Sequence, residues 1–412
     1  MPALQMLKRI TFIYPSKNIG GAQILFARLA NYIATTTSVK VYVVDYRDGF
    51  IRNYLKNIGN IVFVDYSDGV SLPKGCINIT PLSHLADLKF MVSESSLDEN
   101  FLLWSIHPDN IKYLLHSNFR SYFRLGNKNF KRRLIEMANA KTIAFMDGAT
   151  KFSFEKEVGA KIEAPFFLPI PIEFNSSRLP IKKRKDNSIS VAWLGRFSYD
   201  KIYAIIKLIR DVAKSQYKEN IKLYLIGDGQ EYHRVIEEAK KNNISLYHPG
   251  VIQAGVLDNY LMDNIDVGIV MGTSCLEISK LKIPTAIIDY SLVEIPSSHG
   301  YDWFYESSDY SLGNDAAWGL HRRMTFDHLI EEFLSDQNNL IGTKCYGAAI
   351  DNHSIESTVA KILDLFNLKQ DAKQWGVIAN IDLITNPIIY TLIYKIGKFV
   401  KNLLNRFLVL MR

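Results

Sequence analysis

In the second half of the chain three β-rich runs each stop at a glycine: SISVAWLG ends at Gly195, IKLYLIGDG at Gly227 and Gly229, and NIDVGIVMG at Gly272. Apolar runs of this length without polar alternation suit strands buried on both faces, as in a parallel sheet. A glycine at the strand end supplies the backbone freedom that a tight turn into a helix needs. IPTAIID adds a further strand, and helix-like segments lie between the runs. The first half repeats the pattern: RITFIYP, the turn SKNIGG, and then AQILFARLANYIA, whose apolar residues recur at three and four, followed by VKVYVVDY and GNIVFVDYS. This alternation predicts an α/β protein, and at 412 residues it exceeds the size at which one core stops growing, so two α/β units are expected.

The predicted boundary falls in the stretch Leu168–Asn187, rich first in Pro and then in Lys and Arg, with no periodicity. It gives a first domain at 1–172, a linker at 173–187, a second domain at 188–355, a closing helix at 356–375 and a tail at 376–412. In the tail, Ile388, Leu392, Ile396, Phe399, Leu403 and Phe407 repeat at three or four, while Lys395, Lys398, Lys401 and Arg406 fall between them, and no acid follows Asp382. A basic amphipathic helix over 388–412 suits an anionic membrane surface, each cation adding about 1 kcal/mol. The plainer alternative is a terminal helix docked on the body with solvated lysines. RSYFRLGNKNFKRRLIE mixes Arg120, Arg124, Lys131, Arg132 and Arg133 with Tyr122, Phe123 and Phe130, which suits an interfacial lipid, an anionic acceptor or a solvated helix face. The net charge of +7 fits these anionic partners, but no nucleic-acid module is recognisable. Cys76, Cys275 and Cys345 are odd in number and widely spaced, giving neither a disulfide framework nor a zinc site. With no secretion signal and no spanning segment read, the expected location is the cytoplasm, peripheral on the inner face of the cell membrane.

The candidate chemistry gathers in the second domain. Because Gly195 ends a strand, Arg196 and Lys201 emerge at its carboxyl end, where open α/β sheets bind ligands, and two cations there suit a diphosphate. The turn of Gly227, Asp228 and Gly229 would let a ligand approach the backbone. Gly272, Thr273 and Ser274 lead from a strand into a helix whose amino end would hold phosphate, and Glu277, one turn further, can accept both hydroxyls of a ribose. Singly, each has a plainer reading: a surface ion pair for Arg196, an ordinary βα turn at 227–229, and a favourable helix-dipole contact for Glu277.

Taken in order, GRFSYDK, LIGDG, HPG and GTSCLEISKLKIPTAI resemble the carboxyl-terminal domain of the GT-B glycosyltransferases, in particular the retaining group called family 4. NIGGAQ resembles the glycine loop of that family's amino-terminal domain, and the resemblance spans roughly residues 8–367. It implies two facing Rossmann-like domains with a cleft between them, the first on the acceptor side and the second holding the nucleotide-sugar. Arg196 and Lys201 match the cations that neutralise the departing diphosphate. Glu277 matches the second, ribose-binding glutamate of the family's Glu, seven residues, Glu motif, and Thr273 and Ser274 match the amide-bearing turn. Gly20 and Gly21 would turn the first helix's amino end toward diphosphate and acceptor, and His107 matches the histidine near the reacting sugar, with His84 as its competitor. The motif's first glutamate is absent, Ile269 standing in its place, which suggests that amides of Met271–Ser274 hold the sugar instead. No bound metal or other cofactor is expected. The implied activity is retaining transfer from a UDP- or GDP-sugar to a hydroxyl of a lipid-linked oligosaccharide in surface polysaccharide synthesis. Two rivals remain: a nucleotide-sugar 2-epimerase of the same architecture, which typically has a doubled glutamate where Glu277 is followed by Ile278, and a decayed transferase acting as a membrane scaffold.

Overall fold

The structure, a computed structural model, describes residues 9–56, 58–116, 128–174, 188–318 and 322–369. The basic tail, the cations of Arg120–Arg124, the last residues of the closing helix and most of the linker lie outside the described residues. The chain divides into two compact units. Among the described residues, one takes those from 9 to 146, 150–168 and 361–369; the other takes 147–149 and those from 169 to 360.

The first unit is built on a parallel sheet of β1 (Arg9–Ile13), β2 (Lys40–Asp45), β3 (Ile61–Asp65), β4 (Ile77–Pro81), β5 (Asn100–Ser105), β6 (Ile143–Phe145) and β7 (Phe166–Phe167), in the order 3-2-1-4-5-6-7. β4 is buried along its whole length and β1 at every residue but Arg9, as expected of strands with helices on both faces. The helix Gly21–Thr36 follows β1 and buries Leu25, Phe26, Leu29 and Ile33, the three-and-four spacing visible in the sequence. The order reverses between β1 and β4, so their carboxyl ends form the crevice where such sheets bind ligands.

The second unit carries β8 (Ile189–Leu194), β9 (Ile221–Ile226), β10 (Leu246–Gly250), β11 (Val267–Val270), β12 (Thr285–Ile287) and β13 (Asp302–Trp303), in the order 10-9-8-11-12-13. Only the edge pair β12 and β13 is antiparallel among the described strands. The reversal lies between β8 and β11. The helix Ile202–Lys214 covers the sheet with Ile202, Ile205, Leu208, Ile209 and Val212. The helix Thr273–Ser279 lies so close to β11 that a β-carbon on Gly268 would stand 2.7 Å from Ile278 Cδ1. The start of the Pro-rich stretch is tied to this unit: Ile172 bridges to Ser354, His353 Nδ1 donates to the Ile170 carbonyl at 3.0 Å, and Thr358 Oγ1 donates to the Pro169 carbonyl.

After β12 a long, mostly irregular segment wraps back to the carboxyl end of β11, where the Leu312 carbonyl accepts from the Gly272 N–H, and a buried carboxylate anchors it. Asp289 is fully buried. It accepts from Arg322 Nη2 at 2.7 Å and Nε at 2.9 Å, from His299 Nε2 at 3.0 Å and from the Asn314 amide at 2.8 Å. Arg322 reaches on to Asp302 at 2.9 Å. A charge taken out of water requires this many partners. Burial pushes the Asp289 carboxyl up, but the His299 hydrogen bond and the Arg322 charge outweigh it and hold its pKa below the ordinary value.

Asp289→Ala leaves Arg322 and His299 without their shared anion and is expected to cost about 3–5 kcal/mol, read from denaturant unfolding of the second unit. Because the folded pKa is the lower one, the contribution of Asp289 is fully present above the unfolded value, about 3.9, and is lost as pH falls through the folded value. Acid unfolding of wild type should therefore have a component below pH ~4 that Asp289→Ala lacks.

Candidate functional site

At the reversal point of the second sheet, β8 ends in Gly195, whose φ is +150°. Its N–H donates to the Ile226 carbonyl at 2.9 Å and the Phe197 N–H to the Asp228 carbonyl at 3.0 Å, while the Phe197 carbonyl accepts from Glu231. The loops after β8 and β9 are thus joined backbone to backbone. A β-carbon on Gly227 would collide with the Gly195 carbonyl oxygen, and one on Gly229 with that of Phe197. Gly227 also has φ +138°. The glycines of LIGDG are therefore required by the approach of a second loop, where the sequence suggested the approach of a ligand. Asp228 turns inward on its own loop, its carboxylate accepting the Gly229 N–H at 2.7 Å.

This junction sets the backbone from which the two cations project. Arg196 is exposed and Lys201 half-buried at the start of the helix Ile202–Lys214. Among the described residues neither has a carboxylate within ion-pair distance. Burial lowers the pKa of Lys201, Asp200 opposes it, and the charge of Arg196 pushes further down. Two adjacent cations left without an anion make a site of high positive potential. The position a β-carbon would take on Gly195 is ringed by Lys201 Nζ at 3.7 Å, Ser274 Oγ at 3.8 Å and Trp193 Nε1 at 3.6 Å. Arg196, Lys201, Gly195 and Ser274, up to 79 positions apart in sequence, thus gather at one end of the sheet.

The turn from β11 contributes less backbone than the sequence suggested. Gly272 has φ +64° and ψ −149°, a combination open to glycine almost alone. Its N–H is already used, donating to the Leu312 carbonyl at 2.6 Å. Thr273 and Ser274 open a helix of only seven residues, so the Ser274 hydroxyl is the firmer contribution. Glu277 is bound to Lys280 at 2.7 Å, and Lys280 also reaches Asp258 at 3.0 Å. Burial alone would lower the Lys280 pKa; the two carboxylates raise it. A ribose at Glu277 would share that carboxylate with Lys280. Ile269 sits inside β11, fully buried and paired with Ala286. Only Met271 and Gly272 separate strand from helix, so eight residues back from Glu277 falls in the sheet interior, where no side chain can meet a ligand.

In the first unit, Gly20 is extended (φ −159°) and Gly21 begins the long helix, with open space where a β-carbon of Gly21 would stand. The loop before them is held by buried Asp45, which accepts the N–H groups of Ser16 at 2.9 Å, Tyr46 at 2.8 Å and Arg52 at 3.1 Å. Burial raises the Asp45 pKa against these hydrogen bonds. His84 stands just beyond the end of β4 and stacks on Tyr14 at 5.0 Å. Thr80 Oγ1 gives its proton to the Ile13 carbonyl at 2.9 Å and contacts His84 Nδ1 at 3.1 Å. The hydroxyl can only accept there, which assigns the proton to Nδ1 and makes Nε2 the basic nitrogen. His107 instead lies beyond β5 on an exposed turn, Nδ1 accepting from the Asp109 amide at 3.1 Å. The geometry favours His84 over His107 at the crevice. Among the described residues no cluster of three or more His, Cys, Asp or Glu side chains is placed to hold a metal, and no helix is long and apolar enough to cross a membrane.

No protein-family model and no curated protein matches the sequence. Solved structures do match it. A glycosyltransferase from Rickettsia africae has a TM-score of 0.53 at 12% identity, covering 88% of this chain and 99% of its own. The lipopolysaccharide outer core galactosyltransferase WaaB, in its apo form, has a TM-score of 0.50 at 11% identity, covering 87% and 99%. A mutant of S. aureus TarM in complex with UDP, fondaparinux and alpha-GlcNAc-glycerol has a TM-score of 0.50 at 12% identity, covering 87% and 100%. The protein has the α/β GT-B fold of these glycosyltransferases.

Gly227→Ala forces a side chain into the β8 loop at a positive φ and is expected to destabilise the second unit by about 3 kcal/mol, measured by thermal unfolding. Gly21→Ala, at a helical position with open space, should change stability by less than about 0.5 kcal/mol.

Proposed function

We propose that the protein is a glycosyltransferase that moves a sugar from a UDP- or GDP-sugar to an acceptor hydroxyl. The observation that carries the reading is the pair of cations, Arg196 and Lys201, which among the described residues have no carboxylate within ion-pair distance and lie at the reversal point of the second sheet, in a GT-B fold. The UDP held by the TarM mutant of the same fold supports a uridine nucleotide. Arg196, Lys201 and the Ser274 hydroxyl would hold the diphosphate, Glu277 the ribose, and Thr273 the adjoining turn, with Gly195 leaving room for the anion.

Chemically, the acceptor oxygen forms a bond to the anomeric carbon as the bond from that carbon to the diphosphate breaks. The electron pair leaves with the diphosphate, whose growing charge the two cations meet. In the retaining form of this reading the acceptor proton passes to the departing diphosphate on the same face of the sugar. The acceptor would lie on the first unit, where Tyr14 stacks on His84 and Gly20 and Gly21 open the first helix. A lipid-linked oligosaccharide is the proposed acceptor class. It is supported by the basic amphipathic sequence of 388–412 and by the likeness in fold to WaaB, a lipopolysaccharide outer core galactosyltransferase. Peripheral attachment to the inner membrane face belongs to the same proposal.

Replacing either cation removes one electrostatic stabiliser of the leaving group, worth about 3 kcal/mol, so Arg196→Ala and Lys201→Met should each lower kcat/KM roughly 100-fold. Turnover is read as nucleoside diphosphate released from a panel of nucleotide-sugars with and without acceptor. Unchanged rates in both variants would refute the site; an epimerised donor formed without acceptor would replace transfer by isomerisation. The alkaline limb gives a second reading. Because the Lys201 pKa is lowered from 10.5, UDP binding should weaken as pH rises before an ordinary lysine would titrate, and Lys201→Arg should move that limb upward.

A further inference from the structure

Trp104, Trp193 and Trp303 are all fully buried. Two of them have their indole N–H satisfied: Trp104 Nε1 donates to the Leu168 carbonyl at 2.9 Å and Trp303 Nε1 to Glu332 Oε2 at 2.6 Å. Trp193 Nε1 has no hydrogen-bond partner. A buried donor left unmade is costly and rare enough to require a cause. An indole N–H can only donate, so whatever completes it must be an acceptor.

The surroundings specify that acceptor. Trp193 and Gly195 are two apart at the end of β8 and so face the same side of the sheet. The β-carbon position of Gly195 has as its three nearest atoms Trp193 Nε1 at 3.6 Å, Lys201 Nζ at 3.7 Å and Ser274 Oγ at 3.8 Å. A protonated lysine also only donates, and no carboxylate is among these three atoms. An oxygen at hydrogen-bond distance from these groups, about 2.9 Å, would sit beside that position. With glycine at 195 no β-carbon occupies that position. A single anionic oxygen there satisfies the orphaned indole and neutralises the ammonium together.

We infer that Trp193 is a ligand-binding residue, its indole N–H donating to a phosphate oxygen that Lys201 and Ser274 hold from the other sides. The inference rests on the proposed diphosphate site and adds to it a neutral donor built into the sheet. Unlike the lysine, this donor has no freedom to swing away, so it fixes where the oxygen stops. The class of ligand is an inorganic or nucleoside diphosphate.

The test uses the full chain with two probes, UDP and inorganic pyrophosphate, titrated by calorimetry into wild type and Trp193→Phe, which keeps an aromatic ring and removes the N–H. Both probes should bind about tenfold more weakly to the variant, the usual loss for a hydrogen bond to a charged group. Indole 15N–1H spectra provide a measurement that does not depend on the variant's stability. Of the five tryptophans, the resonance missing in Trp193→Phe should be the one displaced when pyrophosphate is added to wild type. Pyrophosphate binding that is weakened by the substitution, with UDP bound no more tightly than pyrophosphate, upholds the Trp193 contact and refutes the nucleotide reading. Equal affinities in the two proteins with an unmoved indole resonance overturn the inference while leaving the nucleotide reading intact. Failure of wild type to bind either probe overturns both.

Discussion

The loops after β8 and β9 meet with no room for a side chain at Gly227 or Gly229, and the rest of the site is hung on that contact. It fixes the Gly195 backbone, and through it the directions in which Arg196 and Lys201 leave the sheet. The cost is borne by glycine, whose positive φ at Gly195, Gly227 and Gly272 leaves three strand ends with the sharp turns that the helices following them require. Around this centre the second unit spends its buried charges on bracing. Asp289 holds the segment that supplies the Leu312 carbonyl to Gly272, and so steadies the turn that presents Ser274. Lys280 in turn holds Glu277 against Asp258.

Much of the architecture was legible because it is local. Buried parallel strands announce themselves as short apolar runs, and the runs at 189–194, 221–226 and 267–270 are strands in the structure. Gly195, Arg196 and Lys201 could be placed at a strand end from their immediate neighbours alone. The reversal of strand order at that end depends on pairings between distant segments such as β8 with β11, which no local pattern displays.

What escaped was whatever depends on contacts across the sheet. Trp193 reads as one more core aromatic until the partners of its nitrogen are counted. The glycines of LIGDG gave the right residue type for a different reason, since a neighbouring backbone makes the same demand as a close ligand. The eight-residue step from Glu277 back to Ile269 assumed a longer loop; with two residues between strand and helix the counterpart of the first glutamate falls inside the core. Between His84 and His107 the sequence could not choose, because only the pairing of β1 with β4 brings Tyr14 and His84 together.

Charge placement therefore separates the catalytic reading from a purely structural one. The three cations that brace the second unit are paired: Arg322 with Asp289 and Asp302, Arg210 with Glu238 and Glu294, Lys207 with Asp211. Among the described residues Arg196 and Lys201 have no carboxylate within ion-pair distance, and they lie together where the strand order reverses. The most direct measurement of that claim is a crystal structure of the protein with UDP or GDP. The account predicts the diphosphate beside Gly195, with its oxygens within hydrogen-bond distance of Lys201 Nζ and Ser274 Oγ; a diphosphate bound elsewhere, with Lys201 out of contact, would contradict it.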